Sequence, residues 1–117
     1  MKTNDEFAVA RQAALLVLCA LDITDGDVEQ ALEDYPASIA DQETLAENAG
    51  QVRAQWTEVA RRVRGVHDRL EELNEEIRTV SPRWKIERMA PVDRTILRLG
   101  IWEMIHGKIA PFLVINA

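Results

Sequence analysis

Apolar residues recur along this chain at helical spacing, and strand-like alternation never lasts more than a few positions. The most regular run is Val52, Trp56, Val59, Val63, Val66, Leu70, Leu73 and Ile77, separated by alternating steps of four and three. That spacing is a heptad seam. A continuous helix from Leu45 to Ile77 would be about 50 Å long at the α-helical rise. A compact domain of this size is only roughly 35 Å across. The helix is therefore expected to bend near Gly65 or to protrude. The seam is read as the core of one bundle. An intermolecular coiled coil, and with it a homodimer, is the alternative use of the same pattern.

Other helices follow from caps and breakers. Thr3 and Glu6 form a capping box ahead of an apolar stretch, which predicts a first helix from about Asn4 to Asp22. Phe7, Ala14, Leu18 and Leu21 share one face of it, while Val9, Leu16 and Val17 fall elsewhere. A helix apolar on several sides is a buried one. After a linker ending at Gly26, Asp27 caps a short helix through Tyr35, and Pro36 should stop it. The segment "TVSPRW" interrupts the long helix. Pro91 then opens another, ending near Gly107. Its apolar residues Val92, Ile96, Leu97, Leu99, Ile101, Met104 and Ile105 point in almost every direction, which predicts a central helix. Pro111 opens "PFLVINA", a further helix start carrying the apolar quartet Phe112 to Ile115 at the chain end. The pattern as a whole predicts an all-α bundle of about five helices.

A length of 117 residues fits one domain with a core that needs no staples. The lone Cys19 excludes an internal disulfide and fits a reducing compartment. The longest strongly apolar run, Ala13 to Leu21, has nine residues, far short of the ~20 that span a bilayer. The opening "MKTNDEF" lacks the basic region of a signal peptide. These features predict a cytoplasmic protein with no membrane partner.

Net charge is −6, distributed unevenly: residues 1–50 hold 11 acids and 2 bases, residues 51–117 hold 9 acids and 12 bases. The global sign argues against indiscriminate nucleic-acid binding, and the asymmetry leaves room for one basic face on the second half. Catalytic signals are missing. The glycines are isolated, so there is no phosphate loop. His67 and His106 lack partners at zinc-ligand spacing, "EELNEE" lacks the pattern of a calcium loop, and Cys19 sits in an apolar helix as a small hydrophobe. No catalytic residue, metal site or cofactor is expected. The basic residues fall into two groups. One is Arg53, Arg61, Arg62, Arg64 and Arg69; the other is Arg83, Lys85, Arg88, Arg94 and Arg98. Arg94 and Arg98 are one turn apart with Trp102 a turn further on. Such a trio can hold a phosphate and stack a base, or it can be the side of a core helix whose arginines pair with acids elsewhere.

From Trp84 onward the chain resembles the NusB family of bacterial transcription antitermination factors. The family pattern W-x-[LI]-x-R-[LM]-x-x-[VI]-D-R-x-[IV]-L-R-[LI]-x-x-x-E-[LM] is met by Trp84, Ile86, Arg88, Met89, Val92, Asp93, Arg94, Ile96, Leu97, Arg98, Leu99, Glu103 and Met104. Pro111, Ile115 and Asn116 continue it, and Ala10, Arg11, Ala14 and Leu18 sit in a comparable register to the family's first helix. The resemblance implies a NusB-like helical bundle, with 1–80 forming the first bundle plus the long helix and 81–117 a partial second bundle that stops short of the family's last helices. It also implies an RNA-binding adaptor in transcription antitermination. Together with the ribosomal protein NusE, such an adaptor recognises boxA RNA in ribosomal RNA operon transcripts, within an RNA polymerase antitermination complex. It uses neither cofactor nor catalysis. Arg11, Arg94 and Arg98 are the RNA-binding candidates, and Leu15 and Cys19 the partner-binding ones. The chain departs from the family in keeping only Arg11 of an arginine-rich N-terminus, and in placing Cys19 where an aromatic residue usually stands. The alternative is a protein–protein interaction module of the same fold that has lost RNA binding. A more distant option is an inactive fragment of a longer product.

Overall fold

Seven apolar residues described in the first helix, Val9, Ala10, Ala13, Ala14, Val17, Leu18 and Leu21, are buried. They lie three and four apart, and three of them are alanines, so neighbouring helices can approach closely along two adjoining stripes. This helix, α1 (Asn4–Thr24), packs against three others and is the spine of the molecule. The computed structural model describes the backbone of residues 4–40 and 53–106, and the side chains of residues 8–34 and 53–106. Among these residues there are five α-helices and no strand. The all-α fold is therefore as the periodicity predicts. Thr3 of the capping box, the segment around Leu45 and Val52, Gly107 and the helix start at Pro111 lie outside the described residues.

α1 ends with Asp25, whose φ of 55° places it in the left-handed region, and the Asp25 N–H bonds the Leu21 carbonyl at 2.8 Å. Aspartate is among the few non-glycine residues that tolerate this cap. Helix α2 (Val28–Ala40) starts as expected: the Asp27 carboxylate accepts the Gln30 N–H at 2.9 Å, a standard N-cap. It does not stop at Pro36. A proline removes one N–H, here the one that would reach the Leu32 carbonyl, and that local loss does not end the helix.

The heptad seam divides into α3 (Trp56–Asp68) and α4 (Leu70–Val80). Val59, Val63, Val66, Leu73 and Ile77 are all buried within this chain. The expected bend is real but lies at Arg69, with φ −117° and ψ 26°, rather than at Gly65. Gly65 serves packing: a Cβ built there would stand 2.3 Å from Cε2 and Cζ2 of Trp102. The glycine is a notch for the indole, so the helix stays regular through it.

A tight turn, Ile86–Arg88, leads to α5 (Pro91–Ile105), which packs against α1, α3 and α4. Ala90 is extended, as a residue before proline prefers. α5 is less central than its composition suggests. Its buried positions are Thr95, Arg98, Leu99, Trp102 and Glu103, while Val92, Ile96, Leu97, Met104 and Ile105 are exposed. Arg98 and Glu103 turn inward because they meet charged partners on α1 and α3 and Asn74 on α4, and that leaves the apolar side chains on the outer surface.

Candidate functional site

The inward face of α5 carries two ion networks. In the first, Asp22 of α1 receives both neighbouring arginines. Arg94 donates through Nε and Nη2 to Oδ2 at 2.9 and 2.6 Å, and Arg98 donates through Nη1 to Oδ1 at 3.0 Å. Arg98 also gives its Nε–H to Oδ1 of Asn74, buried on α4, at 2.9 Å. Arg94 reaches back through Nη1 to the carbonyls of Ile86 and Met89 at 3.2 and 3.4 Å. Burial alone would raise the Asp22 carboxyl, yet hydrogen bonds from Arg94 and Arg98 hold it below its ordinary value. One carboxylate thus ties α1, α4, α5 and the turn before α5 together.

The second network surrounds Glu103, which is 1% exposed. Arg11 of α1 places Nε 2.8 Å from both carboxylate oxygens. Arg62 of α3, fully buried, lies 3.4 Å from Oε2 through its own Nε and bonds Glu58 Oε2 at 2.6 Å. Burial works against the Glu58 charge, but hydrogen bonds from Arg62 and Arg61 lower its pKa.

Arg11, Arg94 and Arg98, the RNA-binding candidates, do not converge on one outward surface. Arg94 and Arg98 share Asp22, while Arg11 belongs to the Glu103 network. Trp102 is 4% exposed. Its ring fills the Gly65 notch, with the Arg61 guanidinium 5.2 Å from its centroid. The phosphate-and-stacking trio of Arg94, Arg98 and Trp102 is therefore an interior arrangement. Sequence shows that these residues share a face, but it does not show that Asp22, more than seventy positions earlier, is waiting for them.

Leu15 and Cys19, the partner-binding candidates, are both half-buried on α1. Leu15 lines a groove of about 290 Å³ between α1 and α5, together with Gln12, Ile96 and Gly100, and with Arg11 and Glu103 at its floor. Cys19 does not line it. Burial raises the Cys19 thiol above its ordinary value, so it stays protonated and acts as a packing group. Among the described residues, no group of three His, Cys, Asp or Glu side chains could hold a metal ion, and no helix is long and apolar enough to cross a membrane.

One feature of the second basic group survives in the open. Arg83, Lys85 and Arg88 are exposed and form no salt bridge among the described residues. Between them stands Trp84, 67% exposed. The sequence signal for it is a tryptophan set between two cations directly after a helix break, "SPRWK".

The sequence model of the NusB family matches residues 8–117. The chain is similar to proteins named transcription antitermination protein NusB. It is 34% identical over 102 residues to that of Clavibacter sepedonicus, covering 87% of this chain and 69% of the relative. It is 35% identical over 108 residues to that of Sorangium cellulosum, covering 92% and 70%. With that of Symbiobacterium thermophilum it shares 36% identity over 104 residues, covering 87% and 65%. No solved structure matches the chain.

Proposed function

The chain belongs to the NusB family, and on that premise we propose that it is an RNA-binding adaptor of transcription antitermination. In this reading it pairs with ribosomal protein NusE, and the pair recognises boxA-type RNA in ribosomal RNA operon transcripts as part of the RNA polymerase antitermination complex. The observation that carries the reading is the family match over residues 8–117, shared with relatives named for antitermination. The role asks for surfaces rather than reacting groups. An all-α scaffold braced by internal ion pairs supplies rigid surfaces, and the cations that remain outside can meet phosphate.

The test is a titration of labelled single-stranded boxA RNA with this chain, with and without NusE. Binding is expected to be strongest with both proteins present and to weaken with salt. Roughly three phosphate contacts on a single strand give a log–log slope near −2. A flat salt response, or no complex even with NusE present, rejects the RNA role.

A second reading, a protein-binding module that no longer holds RNA, is favoured by one observation. Arg11, Arg94 and Arg98 are all committed to internal carboxylates. On that reading NusE binds equally well with and without RNA, and the chain adds nothing to RNA affinity.

A further inference from the structure

We propose that the turn between α4 and α5 is an RNA contact surface, with Trp84 stacking on an unpaired base and Arg83, Lys85 and Arg88 meeting the flanking phosphates. The proposal rests on the RNA-binding reading above and gives it a location that none of Arg11, Arg94 and Arg98 provides.

The exposed indole is the first argument. An aromatic side chain gains much by burial, and the other tryptophans take that gain: Trp102 is 4% exposed and Trp56 packs against the core. Trp84 stands 67% exposed instead. It is also not on a slack loop. Its N–H bonds the Ser81 carbonyl at 3.0 Å, and the next turn closes with Arg88 N–H on the Lys85 carbonyl at 2.9 Å. Ile86, 4% exposed, anchors the segment in the core. From beneath, Arg94 holds the carbonyls of Ile86 and Met89 while bound to Asp22. The interior arginine thus acts as a positioning residue for the outer surface. A preformed platform loses little entropy when a ligand arrives.

Charge and shape agree. Trp84 and Lys85 stand between two shallow depressions of about 280 and 300 Å³, the second also lined by Arg83 and Arg88. The acids nearby are Glu87, engaged by Arg78 at 3.4 Å, and Asp93 at the rim. Lys85 also attracts Glu87 through space, but an accessible aromatic face ringed by cations that form no salt bridge among the described residues is the arrangement that binds single-stranded nucleic acid. Every base offers a π-face, and the cations follow the backbone. An acidic protein segment would use the cations but would gain less from a bare indole.

The test uses a short fluorescein-labelled single-stranded boxA RNA, the full chain and NusE. Circular dichroism of each variant confirms the fold, which is not at risk because Trp84 is exposed. Trp84→Ala is expected to weaken RNA binding roughly tenfold, and Trp84→Phe to keep it within about twofold. Lys85→Ala with Arg88→Ala is expected to make the log–log salt slope shallower by about 1.4. Undiminished RNA affinity in Trp84→Ala and the double variant, with the unaltered chain binding normally, overturns this surface and leaves the adaptor reading standing. Variants that keep RNA affinity but lose NusE also overturn it, and assign the turn to protein. No RNA binding by the unaltered chain with NusE overturns both.

Discussion

Gly65 and Trp102 fit so closely that a single methyl group on the glycine would come within 2.3 Å of the indole ring. Replacing a helical glycine by alanine ordinarily stabilises by up to about 1 kcal/mol. Here the clash reverses the sign, because the ring is rigid and buried. Gly65→Ala is expected to destabilise by about 2 kcal/mol or more, measured by urea unfolding. Combining it with Trp102→Phe should cost less than the sum of the two single changes, since the smaller ring leaves room for the methyl.

Acid should attack the fold through Asp22. Its folded-state pKa lies below the ordinary 3.8 because Arg94 and Arg98 bond it against the opposing effect of burial. A depressed carboxyl contributes stability that is fully present above its unfolded value and is lost as pH falls through the folded value. Asp22→Asn is therefore expected to be about 3 kcal/mol less stable than the unaltered chain at neutral pH, with the gap closing below about pH 4. Glu58 is lowered as well, so the informative quantity is the difference between the two proteins across pH. A gap that does not change with pH would contradict the ionic role of Asp22.

Glu103 holds Arg11 at 2.8 Å and lies 3.4 Å from Arg62, and all three are buried. Removing the carboxylate while both guanidinium groups stay inside should be severe. Glu103→Gln is expected to cost about 3–5 kcal/mol. A cycle pairing Glu103→Leu with Arg11→Met should return a coupling of about 1.5 kcal/mol or more by chemical unfolding. Additive losses would mean that the two residues act separately.

Asp25 caps α1 in the left-handed conformation. Glycine adopts that geometry freely and alanine does not. Asp25→Gly should melt higher than Asp25→Ala, with roughly 1 kcal/mol between them. Equal melting temperatures would show that the cap carries no strain.

Helices were readable from periodicity and caps because those signals are local. The Asp27 cap and the burial of Val59, Val63, Val66, Leu73 and Ile77 follow from spacing alone. Local rules fall short at other positions. Pro36 suggests a stop, yet α2 runs through it. Gly65 reads as a hinge until Trp102 occupies it, and the hinge lies at Arg69. Arg94 and Arg98 read equally as a phosphate-holding pair or as partners of acids elsewhere, and nothing in the sequence around them points to Asp22. Trp84 and Trp102 are equally apolar in the sequence, and only packing separates the exposed ring from the buried one.

The same long-range pairing sets an order of events during synthesis. Arg11 is 92 residues ahead of Glu103, and Asp22 is 72 ahead of Arg94. At a bacterial translation pace, Glu103 follows Arg11 by roughly 5–18 s. Throughout that interval the ionic partners of the first helix on α5 are still unmade. Its docking onto α5 therefore waits for residues made much later, and until then nascent α1, apolar on two stripes, stands without that cover.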